Sequence, residues 1–177
     1  MNKKKVVVFA ITLAVVLAFS LSASAATVDI NGYDYQAYLH SNASELTKGD
    51  TLYVDVMLYG NLKYTQFSSE IAYDNTLLTF AGYENLQGWV AAVCPLPTNK
   101  ISVRSMPSMN MVFGEPCSPE VQIVTLKFTV KETVTAGVND TALSFASLVI
   151  GPPAGVIGAK TAPTEDMPIV VVSYKVD

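Results

Sequence analysis

Little in the 177 residues has the type and spacing that catalysis needs. His40 is the only histidine, in Leu39-His40-Ser41-Asn42. One imidazole suffices for a Ser-His-Asp triad, yet no G-x-S-x-G or other nucleophile context accompanies it. Glycoside hydrolysis needs two carboxyl groups flanking one bond. Fifteen Asp and Glu residues are available, but a chain this small offers only a shallow cleft. Asp50, Asp74 and Asp140 sit in turn contexts, where a carboxylate accepts hydrogen bonds from nearby backbone. No D-x-D-x-D-G loop marks a calcium site. Two cysteines and one histidine do not complete a tetrahedral metal set. The reading is a non-enzyme with no cofactor and no metal.

What remains is binding chemistry. Leu52, Val54, Val56 and Leu58 alternate with Tyr53, Asp55, Met57 and Tyr59. Phe67, Ser69, Ile71 and Tyr73 alternate with Ser68, Glu70, Ala72 and Asp74. Such alternation gives each strand a buried face and an open one. The open side of this pair of strands is the candidate working surface. Aromatic rings offer a second chemistry, stacking on sugar. Trp89 is the only tryptophan, with core packing as its alternative role. Tyr53 and Tyr59 share one side of a strand, where a glycan platform, a protein contact or a cover for a second sheet are all open readings.

Nine or so short strands must position these groups. The pattern gives one early strand, or two short ones, over 27–39. Further strands follow over 51–59, 63–73, 77–83 (interrupted by Gly82), 88–93, 101–106, 121–131, 142–150 and 169–176. A short apolar piece over 109–113 could pair as well. Lys48-Gly49-Asp50, Gly60-Asn61, Asp74-Asn75, Pro95 to Asn99 and Thr135-Ala136-Gly137 punctuate them, and a Gly/Pro-rich loop covers 151–168. No amphipathic helix of useful length appears. The fold class is all-β, a sandwich of about nine strands.

The ends add context. Lys3, Lys4 and Lys5 precede an apolar run over 6–21 and then Ala23-Ser24-Ala25, which is the pattern of a secretory signal peptide over 1–25. A retained membrane anchor is its alternative. Cleavage would leave 152 of 177 residues as a single domain over 26–177 and take the formal charge from −4 to −7, three lysines being lost. That acidity argues against nucleic acid or an anionic membrane as a partner. No second segment is long enough to span a bilayer. In a secreted or cell-surface protein, an even count of cysteines suggests a disulfide, here Cys94 to Cys117. It would close about two dozen residues and contribute about 3 kcal/mol. Asn42-Ala43-Ser44 and Asn139-Asp140-Thr141 are glycosylation sequons.

The order of these pieces resembles the cohesin domain. Gly49-Asp50-Thr51-Leu52-Tyr53-Val54-Asp55-Val56 matches the GD-T strand of that family. Ala72-Tyr73-Asp74-Asn75-Thr76-Leu77-Leu78 matches its Y-D-x-x-[VL]-L turn, and Thr125-Leu126-Lys127-Phe128-Thr129-Val130-Lys131 its late strand. Together they cover roughly residues 45–176. The segment 85–120, with its two cysteines and Ser105-Met106-Pro107-Ser108-Met109-Asn110-Met111, departs from the family pattern.

The resemblance implies a nine-stranded jelly-roll sandwich, an architecture shared with carbohydrate-binding modules. It also implies a non-catalytic domain that binds the dockerin module of a secreted enzyme, with calcium supplied by the dockerin, and so assembles polysaccharide-degrading complexes. Carried over onto this chain, the binding face includes Gln66, Ser68 and Glu70. A flat row of small and acidic groups suits a partner helix, because few side-chain rotamers are lost on binding. The alternatives are a carbohydrate-binding module, with Tyr53, Tyr59 and Trp89 as its platform, and a structural surface protein that packs against copies of itself.

Overall fold

A computed structural model describes residues 32–41, 46–107, 113–117, 120–131, 137–140, 143–162 and 173–176. The signal-peptide segment, the strand expected at 27–30, the sequon at Asn42 and nearly all of the 109–113 piece lie outside these residues. So do Thr141 of the second sequon and the first part of the strand expected at 169–176.

The described strands are β1 (Tyr35–His40), β2 (Thr51–Gly60), β3 (Gln66–Tyr73), β4 (Leu78–Glu84) and β5 (Val90–Leu96), followed by β6 (Lys100–Met106), β7 (Val121–Val130), β8 (Gly137–Asp140), β9 (Leu143–Gly151) and β10 (Ser173–Val176). Two antiparallel sheets hold eight of them. Sheet I has the order β1-β2-β7-β4, sheet II the order β5-β6-β3-β9, and β8 pairs separately with β10. Consecutive strands repeatedly change sheets, at β2 to β3, β3 to β4, β4 to β5 and β6 to β7, which is the jelly-roll way of closing a sandwich.

The period-two pattern decides which faces meet. From sheet I, Leu52, Val54, Val56, Leu58, Val124, Leu126, Phe128 and Val130 point inward and are buried. From sheet II, Phe67, Ile71, Ile101, Val103, Leu143, Phe145 and Ile150 meet them. Phe128 packs its ring on Tyr73 of sheet II at 5.4 Å and on Phe80 of sheet I at 5.8 Å, tying the layers together.

The turns follow local chemistry. Asp50 Oδ2 accepts from the Thr47 N–H at 2.7 Å and the Thr47 hydroxyl at 2.8 Å, around Gly49 at φ 90°. Asp74 Oδ1 accepts from the Thr76 N–H at 2.8 Å and the Thr76 hydroxyl at 2.6 Å. These two carboxylates therefore do serve turns. Gly82 breaks β4 as a bulge between Phe80 and Gly82, because its φ of 129° suits only glycine. The β5–β6 hairpin turns on Asn99, at φ 56°, so β5 runs on through Pro95 and Leu96, where the sequence suggests a loop.

The described part of the Gly/Pro-rich loop after β9, through residue 162, makes more backbone contacts than its composition suggests. Thr161 bridges Tyr35 in parallel. Lys160 O accepts from the N–H groups of Asp34 (2.7 Å) and Tyr35 (3.2 Å), and the Ala162 N–H donates to Tyr35 O at 2.9 Å. The chain thus leaves sheet II and covers part of the β1 edge of sheet I.

The expected Cys94–Cys117 bridge is not formed; both thiols are free. Cys94 is exposed on β5 of sheet II. Cys117 is buried beside sheet I, where its Sγ lies 2.9 Å from Leu62 O and would be 2.7 Å from a Cβ on Gly60. Their side chains belong to different layers, so chain spacing alone misleads. Burial pushes the Cys117 thiol up to about 11.

Candidate functional site

The outer face of sheet II is built in rows by strand register. One row reads Ala92, Arg104, Ser68, Val149; the next, Cys94, Ser102, Glu70, Ser147; the third, Leu96, Lys100, Ala72, Ser144. Val90 opposes Met106, and Gln66 opposes Gly151, at the end nearest the β2–β3 connection. Gln66, Ser68 and Glu70 therefore share one outward row along β3, Gln66 exposed and the other two half-buried. The face is flat because most of its side chains are small. Val90 is 49% and Val149 59% exposed, one on each edge strand.

Charge is sparse on this surface. Lys100 Nζ sits 3.1 Å from Glu70 Oε2, a diagonal cross-strand pair. Arg104 is exposed and central, and no carboxylate among the described residues pairs with it. Arg104 is absent from the sequence-based site. Its signal was nonetheless present: Ile101 and Val103 turn inward, which turns Ser102 and Arg104 outward. Without the register, however, nothing places it beside Ser68.

The outer face of sheet I is knitted together. Asp55 Oδ1 accepts from Gln122 Nε2 at 3.0 Å and from the Thr125 hydroxyl at 2.6 Å. Gln122 Nε2 also donates to Thr125 Oγ1 at 2.6 Å. His40, at the end of the edge strand β1, brings Nδ1 to 4.0 Å from Asp55 Oδ2. Lys127 pairs with Glu84 at 3.2 Å. The Tyr38 hydroxyl donates to Glu120, and burial, reinforced by this acceptor, holds its pKa well above the usual phenol value.

The three aromatic candidates do not form one platform. Tyr53, 49% exposed, and the half-buried Tyr59 lie on sheet I. Trp89 lies at the entry to β5 in sheet II, where its backbone N–H donates to Met106 O at 2.7 Å. It is not a core residue, being 65% exposed. Among the described residues, no three His, Cys, Asp or Glu side chains gather in a metal-binding group.

The two layers, their strand order and the crossing chain after β9 can be compared with solved structures. The sixth cohesin of scaffoldin B from Acetivibrio cellulolyticus, solved in complex with a Cel5 dockerin, superposes with a TM-score of 0.59 at 14% identity, covering 81% of this chain and 99% of that one. The chain has a cohesin-like fold. The seventh ScaB type I cohesin of Pseudobacteroides cellulosolvens matches this cohesin-like domain with a TM-score of 0.57 at 13% identity, over 82% of this chain and 93% of that one. A non-cellulosomal cohesin from the archaeon Archaeoglobus fulgidus gives 0.52 at 17%, over 81% and 91%. By sequence alone, the cohesin-like domain matches no family model and no curated protein.

Proposed function

We propose that this cohesin-like domain is a non-catalytic, extracellular binding module whose partner is a dockerin-like module, seated on the outer face of sheet II. The observation that carries the reading is the flat surface of Ser68, Ala72, Ala92, Ser102, Ser144 and Ser147, spread over all four strands. Small side chains lose little entropy on contact and admit a helix closely. Support comes from fold neighbours solved with dockerins, from Acetivibrio cellulolyticus and from Clostridium thermocellum. The setting that fits is secreted polysaccharide breakdown. The test is retention of dockerin-bearing proteins by the purified protein. Binding weaker than about 1 mM, near −4 kcal/mol, across a broad dockerin panel would end this reading.

A second reading rests on one observation, the exposed ring of Trp89. A flat indole at a sheet end can stack on a pyranose. Retention on insoluble cellulose or chitin, lost in Trp89→Ala, would support it.

A further inference from the structure

The strands of the two four-stranded sheets carry few formal charges, and nearly all are matched. Asp55 holds Gln122 and Thr125 beside His40, Glu70 holds Lys100, and Glu84 holds Lys127. Arg104 is the exception. It is the only arginine in the chain, and no carboxylate among the described residues pairs with it. Its row neighbours are Ala92 and Ser68, and along its own strand it has Ser102 and Met106. Glu70, one diagonal away, is occupied by Lys100 at 3.1 Å. An uncompensated cation at the centre of a face of small side chains, on a chain of formal charge −4, leaves a place for a negative group from outside.

The surroundings narrow that group. A guanidinium presents a planar fork of donors that fits the two oxygens of a carboxylate, and short neighbours leave room for edge-on approach. Val149, in the same row, and Val90, at the far edge, present aliphatic surface. We infer that Arg104 is the specificity anchor of this face and that the partner is a protein segment presenting an Asp or Glu carboxylate with aliphatic residues beside it. This inference rests on sheet II being the binding face; whether the partner is dockerin-like is a separate matter. A protein is favoured over an acidic glycan because the row neighbours of Arg104, Ala92 and Ser68, are small and the exposed Trp89 stands only at the sheet end.

Two displayed libraries are panned on the purified protein. One randomises the exposed helix positions of a calcium-loaded dockerin scaffold, the other those of an unrelated three-helix bundle. Selected binders are expected to share Asp or Glu at one position. Their affinity falls by about tenfold or more on Arg104→Gln and by less on Arg104→Lys, as loss of a charge-assisted pair requires. Panning on Arg104→Glu should replace that acid by Lys or Arg. Arg104 is exposed, so unchanged melting temperatures will show that the variants fold. Binders of this kind from the bundle alone would keep the anchor and discard the dockerin reading. Dockerin-scaffold binders without the acid, or indifferent to Arg104→Gln, would discard the anchor and keep that reading. The inference is overturned by a lack of binders from both libraries, or by Arg104-dependent retention on polygalacturonate in their place.

Discussion

On the outer side of sheet I, Asp55, Gln122 and Thr125 form a closed set of hydrogen bonds, Lys127 lies on Glu84, and Tyr38 donates to Glu120. On the outer side of sheet II, serines and alanines fill the same kind of lattice, with one ion pair and one arginine that no carboxylate among the described residues matches. Both faces rest on one core. Apart from Gln36, whose buried Oε1 finds no hydrogen-bond partner among the described residues, the polar groups on sheet I largely satisfy one another, and such a face would have to break bonds to receive a partner. A face of short side chains with an unmatched charge has little to give up. Cross-strand bonding on sheet I thus stabilises the domain, while the outer face of sheet II carries few such bonds.

The two thiols contrast most sharply. Cys94, exposed among the small residues of sheet II, should react with iodoacetamide in the native protein. Cys117, buried and with its thiol raised to about 11, should react only through opening, slower by about a thousandfold or more. Intact mass is expected to show one alkyl group natively and two in denaturant. Fast double labelling would mean that the sheet I side is open.

Phe128→Ala tests whether the faces share one core. It removes the ring between Tyr73 and Phe80 and should cost about 3–5 kcal/mol in urea unfolding. Both sheets should melt in a single transition, carrying partner binding with them. Two separated transitions would contradict the shared core.

Asp55→Ala and Ser68→Arg divide the roles of the two faces. The first strips the acceptor from Gln122 and from Thr125, which is only 4% exposed, and should cost about 1–3 kcal/mol of stability while leaving partner binding unchanged. The second puts a long side chain on the flat row beside Arg104. It should hold stability within about 0.5 kcal/mol and weaken binding by about tenfold, near 1.4 kcal/mol. The reverse pattern would exchange the roles assigned to the sheets.

Much of the fold was legible because β2, β3 and the second half of β7 alternate and bury most of the inward residues that the pattern names, although Tyr73 stays half-buried and Ile123, Val124, Thr125 and Leu126 are buried in one run. Gly82 and Gly49 likewise marked a bulge and a turn through φ values that other residues avoid. The misses have a common cause, contacts made far along the chain. The pairing of Thr161 with Tyr35 depends on backbone bonds that composition does not encode. The two cysteines had compatible spacing but belong to different layers. Of the candidate site, the outward row Gln66, Ser68 and Glu70 could be read from one strand's period. That Arg104 shares a row with Ser68 is a fact of register between β3 and β6, invisible until the strands pair. The aromatic candidates failed as one group for the same reason, since β2 and β5 lie in different sheets.

The smallest effect expected concerns acid, and it tests where pH acts. The Thr76 hydroxyl and N–H hold the Asp74 carboxyl below its ordinary 3.8, and the Thr47 N–H and hydroxyl do the same for Asp50. A depressed carboxyl contributes stability in full above 3.8, and that contribution is lost as pH falls through the folded value. Both groups lie at the surface, where solvent screens them, so the effect is slight. The melting temperature should show a shallow loss below pH 3.8 that flattens in the Asp50→Asn, Asp74→Asn double variant, since each amide oxygen still accepts from its threonine. Asp50 precedes β2 and Asp74 follows β3, so both act at strand ends and neither belongs to an outer face. A loss that persists undiminished in the double variant would place the acid sensitivity away from these two turns.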